Sequence, residues 1–236
     1  MLAAGLSRRF GGTQKALYRV CGMSMLERSI RMLAATDVST VSVITGHRSA
    51  DVGAEVAEMG SLTAVRSLNN PKYDVWNNFY SVELACREAP PGDLVIINGD
   101  IVYARSALET ALAPADAELV LAISDDDIDE EAMKVACEGE TIRHVGKALP
   151  RTSSAGEFIG ISRMTANARR WYVSLSEWSR TRGVTDIYYE DIYDALCGGL
   201  RAIAYPVRPD NWAEVDHVDD LERAQRVAGR LADGPV

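Results

Sequence analysis

A glycine-rich stretch that also carries cations, LAAGLSRRFGGTQKAL, lies near the start of the sequence. Gly5, Gly11 and Gly12 would let backbone N–H groups approach phosphate oxygens closely, and Arg9 and Lys15 would add charge-assisted hydrogen bonds. This combination favours binding of a triphosphate. The spacing is neither GxxxxGK[ST] nor GxGxxG, so it indicates neither a P-loop NTPase nor a Rossmann dehydrogenase. From the glycine spacing alone, a flexible surface loop is an equal alternative.

Two aspartates follow short apolar runs further along the chain. Asp100 ends the run LVIINGD, and Asp216 lies in NWAEVDHVDDL, just before a helical pattern. A buried strand that ends in an aspartate at the ligand-binding edge of a sheet is typical of a Mg²⁺ site, because this hard cation prefers carboxylate oxygens. Taken alone, Asp100 fits a helix cap or a turn cap equally well.

The elements that must position these residues alternate between short β-rich runs and helical patterns. This alternation predicts an α/β fold with a doubly wound, Rossmann-like, mostly parallel sheet. The predicted strands cover 1–4, 41–45, 62–66, 94–98, 119–124, 157–162 and 202–207. The predicted helices include 26–33, 52–56, 79–86, 166–180, 187–196 and 218–231. Ligands are expected at the carboxyl ends of the strands, where the loops gather.

The segment 125–154 is more irregular and opens with the acidic stretch DDDIDEE, which favours a solvated loop over a metal site. We expect a small inserted hairpin or flap there, and an acceptor-side insertion around 125–165. A single domain is expected over 1–236. The first strand is short, which favours a few native residues before Met1. Trp171 and Trp178 are expected to pack within their helix.

Composition excludes several classes of protein. With 47% hydrophobic and 25% charged residues, the chain of 236 residues is predicted to fold. Its net charge of −9 disfavours binding to nucleic acid. No apolar run approaches the roughly 18 residues of a membrane span, and no secretory signal is recognisable, so a cytoplasmic protein is expected. The four cysteines form no CxxC pair and the three histidines no HExxH pattern, which predicts free thiols and no zinc site or catalytic triad.

The first stretch resembles a known signature. LAAG followed by Arg9 and Lys15 is similar to LAAGxGxRxxxxxxK of the sugar-nucleotide pyrophosphorylase superfamily, the nucleotide-diphospho-sugar transferase type of fold. The resemblance implies that Arg9 and Lys15 hold the triphosphate and stabilise charge as pyrophosphate leaves. Ser7 stands where many members have glycine, which affects the local path of the loop. The nucleotide-binding residues implied along the strand edges are Leu2, Ala3, Ala4, Gly5 and Gly99.

A second resemblance covers residues 69–85. NNPKYDVWNNFYSVELA is similar to the segment NPKYxxxNNxYSLxxA of the CTP:phosphocholine cytidylyltransferases and the related phosphonate cytidylyltransferases. In that superfamily the loop entering this helix lies over the base, which implies that Asn77 and Asn78 bind the base. An amide offers the donor and the acceptor that cytosine requires. The alternative is that both residues only cap the helix.

The superfamily brings two aspartates together around one Mg²⁺, and NWAEVD resembles its WxExD element. The resemblance therefore implies that Asp100 and Asp216 bind Mg²⁺, with Glu214 outside the direct ligands. The reaction would be attack of a phosphate or phosphonate oxygen on the α-phosphorus of CTP. Because that nucleophile is already anionic, alignment and charge stabilisation suffice and no general base is required.

The acceptor is expected to need a cation for its phosphate and a second group of residues for its other end. Lys147 in RHVGK resembles the family lysine with the first task, and Lys134 is a weaker candidate; a solvated surface lysine is the alternative for each. Aromatic and acidic side chains suit a cationic head group such as choline or an aminoethyl group. The candidates are Glu157, Tyr189 and Glu190, although core packing explains part of the cluster 186–191 equally well.

Three hypotheses follow from these residues. The first is a cytidylyltransferase that uses CTP, Mg²⁺ and a small phospho-alcohol or phosphonate, such as phosphocholine or an aminoethyl- or hydroxyethylphosphonate. The second is a sugar-1-phosphate or inositol-1-phosphate nucleotidyltransferase, which shares the first loop and both aspartates. The third is a catalytically silent nucleotide sensor, disfavoured because Arg9, Lys15, Asp100 and Asp216 are all present. The acceptor is left open, and a homodimer is an open alternative to a monomer.

Overall fold

Thirteen strands and seven α-helices form in the part of the chain that the computed structural model describes, which is residues 1–7, 11–113, 115–125 and 128–232. In chain order the strands are β1 (Leu2–Ala3), β2 (Arg19–Val20), β3 (Met23–Ser24), β4 (Val41–Thr45), β5 (Val65–Asn69), β6 (Leu94–Ile97), β7 (Ile101–Tyr103), β8 (Leu119–Ser124), β9 (Lys134–Glu138), β10 (Thr141–Gly146), β11 (Gly156–Met164), β12 (Ala202–Pro206) and β13 (Trp212–Glu214). The helices are α1 (Met25–Ala34), α2 (Ser49–Glu58), α3 (Phe79–Glu88), α4 (Arg105–Leu112), α5 (Ala166–Thr181), α6 (Tyr189–Cys197) and α7 (Leu221–Ala232).

The chain forms two compact units. The first comprises Met1–Val75, Asn98–Arg105 and Asp210–Val236, and the second comprises Trp76–Ile97 and Ser106–Pro209. The earlier expectation of one domain over the whole chain stays a prediction.

The first unit is built on a parallel sheet of β1, β4 and β5, in that order. Val43 and Ile44 of β4 are fully buried because this strand is central. Helix α1 begins after Ser24, whose hydroxyl accepts the N–H of Glu27 at 2.9 Å and so satisfies a free donor of the first turn. Leu26 and Ile30 then lie on the buried face of α1, as their spacing predicts.

Two short strand pairs complete the first unit. Strands β2 and β3 form a hairpin, and β13 pairs antiparallel with β7. Helix α7 covers the second pair, and its Ala224, Val227 and Ala228 are buried in a cluster with Val102 and Ala213. This small layer holds in place the loop that precedes β7 and the loop that follows β13.

The second unit is built on a mixed sheet in the order β6, β11, β8, β12, β10 and β9. Strand β8, with the sequence LVLAIS, is buried along its whole length, as expected of an apolar run covered on both faces. It pairs parallel with β12 and antiparallel with β11. Strands β9 and β10 form a hairpin within the segment predicted to carry one, with Gly139 in its turn at φ +61°.

The α/β class and the inserted hairpin are confirmed, and the predicted bounds of β4 and β8 are matched residue for residue. Strand β5 begins at Val65 rather than at Leu62, because the chain still turns at Leu62, whose N–H donates to the carbonyl of Met59. The expectation for Trp171 and Trp178 is wrong: more than half of each side chain is exposed.

Residues 1–7, 11–113, 115–125 and 128–232 are the part of the chain that the structure describes. No helix among them is long and apolar enough to span a membrane. The four cysteines are free, as predicted, with Cys21 exposed and Cys86 buried.

Candidate active site

A lysine and two aspartates from distant parts of the sequence meet in the first unit. Nζ of Lys15 lies 3.1 Å from Oδ2 of Asp100 and also contacts Oδ1 of Asp216. Burial lowers the pKa of the Lys15 ammonium, but the charges and hydrogen bonds of the two carboxylates outweigh this and leave its pKa above the ordinary value. Lys15 is therefore positively charged at neutral pH.

The pairing of β7 with β13 brings the two aspartates together. Ile101 is opposite Glu214, and the next backbone hydrogen bond runs from the N–H of Val215 to the carbonyl of Asp100 at 2.9 Å. The turn after β13 is fixed by Asp220, whose Oδ2 accepts the N–H of Asp216 at 2.8 Å. Both strands are only three residues long, so their register rather than their length determines the geometry.

Three carboxylates at this point form a cluster. Ligand oxygens of Asp100, Glu214 and Asp216 lie within 4.8 Å of one another. Such a set of oxygen donors suits a divalent cation such as Mg²⁺. Asp100 and Asp216 are half-buried and Glu214 is exposed. The ammonium of Lys15 contacts two of the three, so it already stands where positive charge is favoured.

The glycine-rich loop is organised by Gln14, a residue that the sequence analysis did not single out. Its buried amide donates to the carbonyls of Ala3 at 2.7 Å and Gly5 at 3.1 Å. Its oxygen accepts from the hydroxyl of Ser7, which in turn accepts the N–H of Lys15 at 2.9 Å. Ser7 adopts φ +48°, in the left-handed region where glycine is usual. The signal in the sequence was the polar side chain directly before Lys15.

Arg9, the second predicted catalytic cation, lies outside the residues that the structure describes. The five predicted nucleotide-binding positions of the first unit are described. Gly99 lies against the backbone of β1, since a Cβ atom added there would be 2.4 Å from the carbonyl oxygen of Leu2. Ala3 and Ala4 are buried, whereas Gly5 is exposed. These positions form one edge next to Lys15.

The predicted base-binding residues lie in the second unit, at the start of α3. Oδ1 of Asn78 accepts the N–H of Tyr189 at 2.9 Å, and Asn78 makes no capping bond to its own helix. Asn77 donates its backbone N–H to Thr185 at 2.9 Å and its side-chain amide to Asp186 at 3.2 Å. The start of α3 is thus joined to the segment that precedes α6.

The two candidate lysines of the second unit differ in their surroundings. Nζ of Lys147 lies 3.4 Å from Oε2 of Glu131 and 4.9 Å from the centre of the Tyr188 ring. Burial lowers its pKa, but Tyr188 and Glu131 outweigh this and raise the pKa above the ordinary value. Lys134 is buried and donates to three backbone carbonyls, one of them that of Lys147 at 2.9 Å. The ammonium of Lys134 therefore supports the loop around Lys147 instead of facing a ligand.

The other predicted acceptor residues lie at two depths. Tyr189 is fully buried, with its ring edge-on to Phe158 and Tyr193. Glu190 is also buried, and its Oε2 has no hydrogen-bond partner among the described residues. Burial raises the pKa of Glu190 to about 8. Glu157 is half-buried on β11, opposite Lys134 in the strand register.

The family model of the MobA-like NTP transferase domain matches residues 1–191. A bifunctional IPC transferase and DIPP synthase of Thermococcus kodakarensis is 28% identical over 244 residues, which cover 98% of this chain and 50% of that protein. A CMP-5'-(3-aminopropyl)phosphonate synthase of Streptomyces rubellomurinus is 33% identical over 130 residues, or 52% of this chain and 20% of that protein. The chain thus spans about half or less of the length of these relatives.

Solved structures share the fold. The inositol-1-phosphate CTP transferase from T. maritima superimposes with a TM-score of 0.80 at 21% identity, over 96% of this chain and 94% of that one.

Proposed function

The chain belongs to the family of MobA-like NTP transferase domains, and from this premise we propose that it is a cytidylyltransferase that transfers CMP from CTP to a small phospho-alcohol or phosphonate. The observation that carries the proposal is the contact of Lys15 with Asp100 and Asp216, beside the glycine-rich loop. It combines a charged lysine with the acidic ligands of a divalent cation, the two groups that nucleotidyl transfer requires.

The choice of CTP has separate support. The segment 69–85 resembles that of the phosphocholine and phosphonate cytidylyltransferases, and one relative is named as a CMP-phosphonate synthase. We propose that the base lies at Asn77 and Asn78, and that the triphosphate lies along the backbone of β1 and its loop. The nucleotide-binding residues in this proposal are Leu2, Ala3, Ala4, Gly5, Gly99, Asn77 and Asn78.

Lys15 and Arg9 are the proposed catalytic cations. An anionic oxygen of the acceptor attacks the α-phosphorus in line with the bond to the leaving pyrophosphate. Lys15 neutralises the negative charge that develops on the phosphates, and the hydrogen bond that its backbone N–H donates to the hydroxyl of Ser7 keeps it in place. Since the acceptor oxygen carries no proton, these residues have to align and neutralise, and no side chain has to act as a base.

A divalent cation is the proposed cofactor, and nucleotidyltransferases commonly use one. The residues that would hold it are Asp100 and Asp216, with Glu214 close enough to join them. When bound, the metal would neutralise phosphate charge and orient the triphosphate. The metal and the ammonium of Lys15 would then both contact the carboxylates of the two aspartates.

For the acceptor we propose Lys147, Glu157, Tyr189 and Glu190 of the second unit. Lys147 would bind the phosphate or phosphonate, because its ammonium is partly exposed and stays charged. The site for the other end of the acceptor would lie next to the buried carboxyl group of Glu190 and the neighbouring aromatic rings. Tyr189 itself is buried, so its proposed contribution is to hold the position of Glu190.

A second candidate function is transfer of CMP to inositol-1-phosphate or a sugar-1-phosphate. It is favoured by the fold shared with an inositol-1-phosphate CTP transferase and by the relative named as an IPC transferase. A cytoplasmic location and a homodimer stay predictions from the sequence.

The test is release of pyrophosphate by the purified protein with each of the four NTPs. The acceptors would be phosphocholine, 2-aminoethylphosphonate, 3-aminopropylphosphonate, 2-hydroxyethylphosphonate, inositol-1-phosphate and glucose-1-phosphate. We expect CTP with one of the first four to give the highest kcat/KM. CTP with inositol-1-phosphate would support the second candidate, and a preference for UTP or dTTP with glucose-1-phosphate would overturn the proposal.

A further inference from the structure

The start of helix α6 depends on a residue from another helix. The first backbone N–H groups of a helix have no partner within it, and Ser, Thr, Asp or Asn at the N-cap position usually accepts one. In α6 the N-cap residue is Tyr188, which is not one of these types. Asp191 accepts the N–H of Tyr188 at 2.7 Å, and the N–H of Tyr189 is accepted by Asn78 at 2.9 Å.

Asn78 is itself the N-cap residue of α3, where an asparagine would normally accept an N–H from its own first turn. It makes no such bond. Its side-chain oxygen is instead directed 111 positions along the sequence, to the first residue of α6. The residue is therefore a helix cap, but for a different helix from the one that it begins.

Neighbouring bonds strengthen the same connection. Asn77 donates its backbone N–H to the carbonyl of Thr185 and its side-chain amide to Asp186. Its own side-chain oxygen accepts the backbone N–H of Asn78 at 2.7 Å, which restrains the rotation of the Asn77 side chain. The segment before α3 and the segment before α6 are consequently held together at three points.

The first turn of α6 carries Glu190, for which we proposed a role at the acceptor. Because Glu190 is the second residue of the helix, its carboxyl group takes its position from the backbone that Asn78 secures. The side chain of Glu190 is buried, and its Oε2 has no hydrogen-bond partner in the described chain.

We propose that Asn78 is a positioning residue for the acceptor. Its side-chain oxygen caps α6 and so fixes the position of Glu190, while its NH₂ group donates a hydrogen bond to the base. The proposal rests on the proposed function, because it assigns the acceptor to α6 and the base to the start of α3. It adds that the two substrates are coupled. A base bound at Asn78 restrains the amide that caps α6, so CTP should increase the affinity for the acceptor, and by linkage the acceptor should increase the affinity for CTP.

Two substitutions separate the two halves of the amide. Asn78→Ala removes both the oxygen and the NH₂ group, whereas Asn78→Asp keeps an oxygen for the N–H of Tyr189. We expect Asn78→Ala to raise the KM for the acceptor about 3- to 30-fold, as expected for loss of a helix cap. We expect Asn78→Asp to bind the acceptor within about twofold of the wild-type affinity when CTP is absent, because the cap is kept, but to lose the increase in affinity that CTP gives, because the NH₂ group is gone.

The matched control is Thr165→Ala. Thr165 caps α5 through its hydroxyl, which accepts the N–H of Ala168 at 3.3 Å, and it belongs to no proposed site. This variant loses a cap of ordinary kind in the same unit, so it should lower the melting temperature and leave the KM for the acceptor unchanged. A rise in acceptor KM in Thr165→Ala equal to that in Asn78→Ala would show that general destabilisation is the cause, and would overturn the proposal.

Hydrogen exchange provides a measurement that does not depend on turnover. Peptides that cover 186–193 should exchange faster in Asn78→Ala than in the wild type, and at the wild-type rate in Asn78→Asp. CTP should slow that exchange in the wild type. Unchanged exchange in Asn78→Ala overturns the proposal, as does an acceptor KM that rises equally in both variants. If Asn78→Ala does not fold, hydrogen exchange in Asn78→Asp still tests the proposal. Peptides that cover 186–193 should then exchange at the wild-type rate, and faster exchange would contradict the proposal. Failure of the wild type to turn over any acceptor would instead refute the proposed function.

Discussion

Nζ of Lys15 lies 3.1 Å from Oδ2 of Asp100, although the two residues are 85 positions apart in the sequence. The same ammonium contacts Asp216, so one lysine neutralises two carboxylates. An ammonium in this position marks the place where the protein favours positive charge. The first predictions test the two sides of this contact.

Lys15→Met removes the ammonium and keeps most of the length of the side chain. We expect kcat for pyrophosphate release to fall about 100- to 1,000-fold, the usual effect of removing one group that stabilises charge in a transition state. Steady-state assays at saturating CTP and acceptor measure this, with circular dichroism to verify folding. A kcat within tenfold of the wild type would exclude Lys15 from catalysis.

Asp100→Asn and Asp216→Asn should each lower Mg²⁺-dependent turnover by on the order of 100-fold, because a neutral amide is a poorer ligand for a divalent cation than a carboxylate. Titration calorimetry with Mn²⁺ in the presence of CTP should show the matching loss of metal affinity. Glu214→Gln should have a smaller effect, since Glu214 is exposed. Asp219→Asn is the control: Asp219 is an exposed acid nearby and should behave as the wild type. Normal metal binding in Asp100→Asn would remove Asp100 from the site.

Substitution of Lys147 should change the affinity for the acceptor, whereas substitution of Lys134 should change the stability of the fold. Lys147→Met should raise the KM for the acceptor about tenfold or more, the cost of losing one charge-assisted hydrogen bond, and leave the melting temperature unchanged. Lys134→Met should instead lower the free energy of unfolding by roughly 1–3 kcal/mol, because three carbonyls lose a charged donor. Urea unfolding and acceptor kinetics on both variants test the distinction. The reverse pattern would exchange the two assignments.

Glu190 should make stability depend on pH. Burial raises its pKa from 4.5 to about 8, so the folded state binds a proton that the unfolded state releases between these values. The contribution to stability is fully present below pH 4.5 and is lost as the pH rises towards 8, by up to about 1.4 kcal/mol per pH unit. Glu190→Gln should remove this slope and be the more stable protein near pH 8. Urea midpoints measured from pH 5 to pH 9 provide the test, and equal slopes for the two proteins would contradict it.

Gly99→Ala tests the close approach of two backbones. The new Cβ atom would be 2.4 Å from the carbonyl oxygen of Leu2, so β1 would have to move. We expect a loss of roughly 1–3 kcal/mol in the free energy of unfolding and a higher KM for CTP. Gly199→Ala is the control, because a Cβ atom at exposed Gly199 meets nothing within 4 Å. Equal stability of the two variants would show that β1 adjusts at no cost.

Much of the fold followed from local patterns in the sequence. Strands β4 and β8 are almost entirely buried, and their bounds were predicted to the residue. Strands β7 and β13 were not predicted, because three residues carry too little pattern and both form only through pairing with each other. The predicted bounds of β5 were too early in the sequence. Its polar residues face solvent at a sheet edge, and edge strands carry a weak hydrophobic signal.

The sequence predicted those residues of the candidate site whose role follows from the chemistry of their side chains. Lys15 and Asp100 were identified from their positions after short strands, and the structure brings them together. The roles of Gln14 and Asn78 were not foreseen, since their partners are set by the tertiary fold. An asparagine at a helix start predicts a cap, but the sequence does not say which helix it caps.

The contact between Lys15 and Asp216 also has a consequence for the order of events during synthesis. The two residues are 201 positions apart, and Asp216 reaches Lys15 only after β13 has paired with β7. A nascent chain still short of β13 therefore already contains the glycine-rich loop and Asp100, but not Glu214 and Asp216. The proposed site is complete only once the segment carrying β13 has left the ribosome and paired with β7 in the first unit.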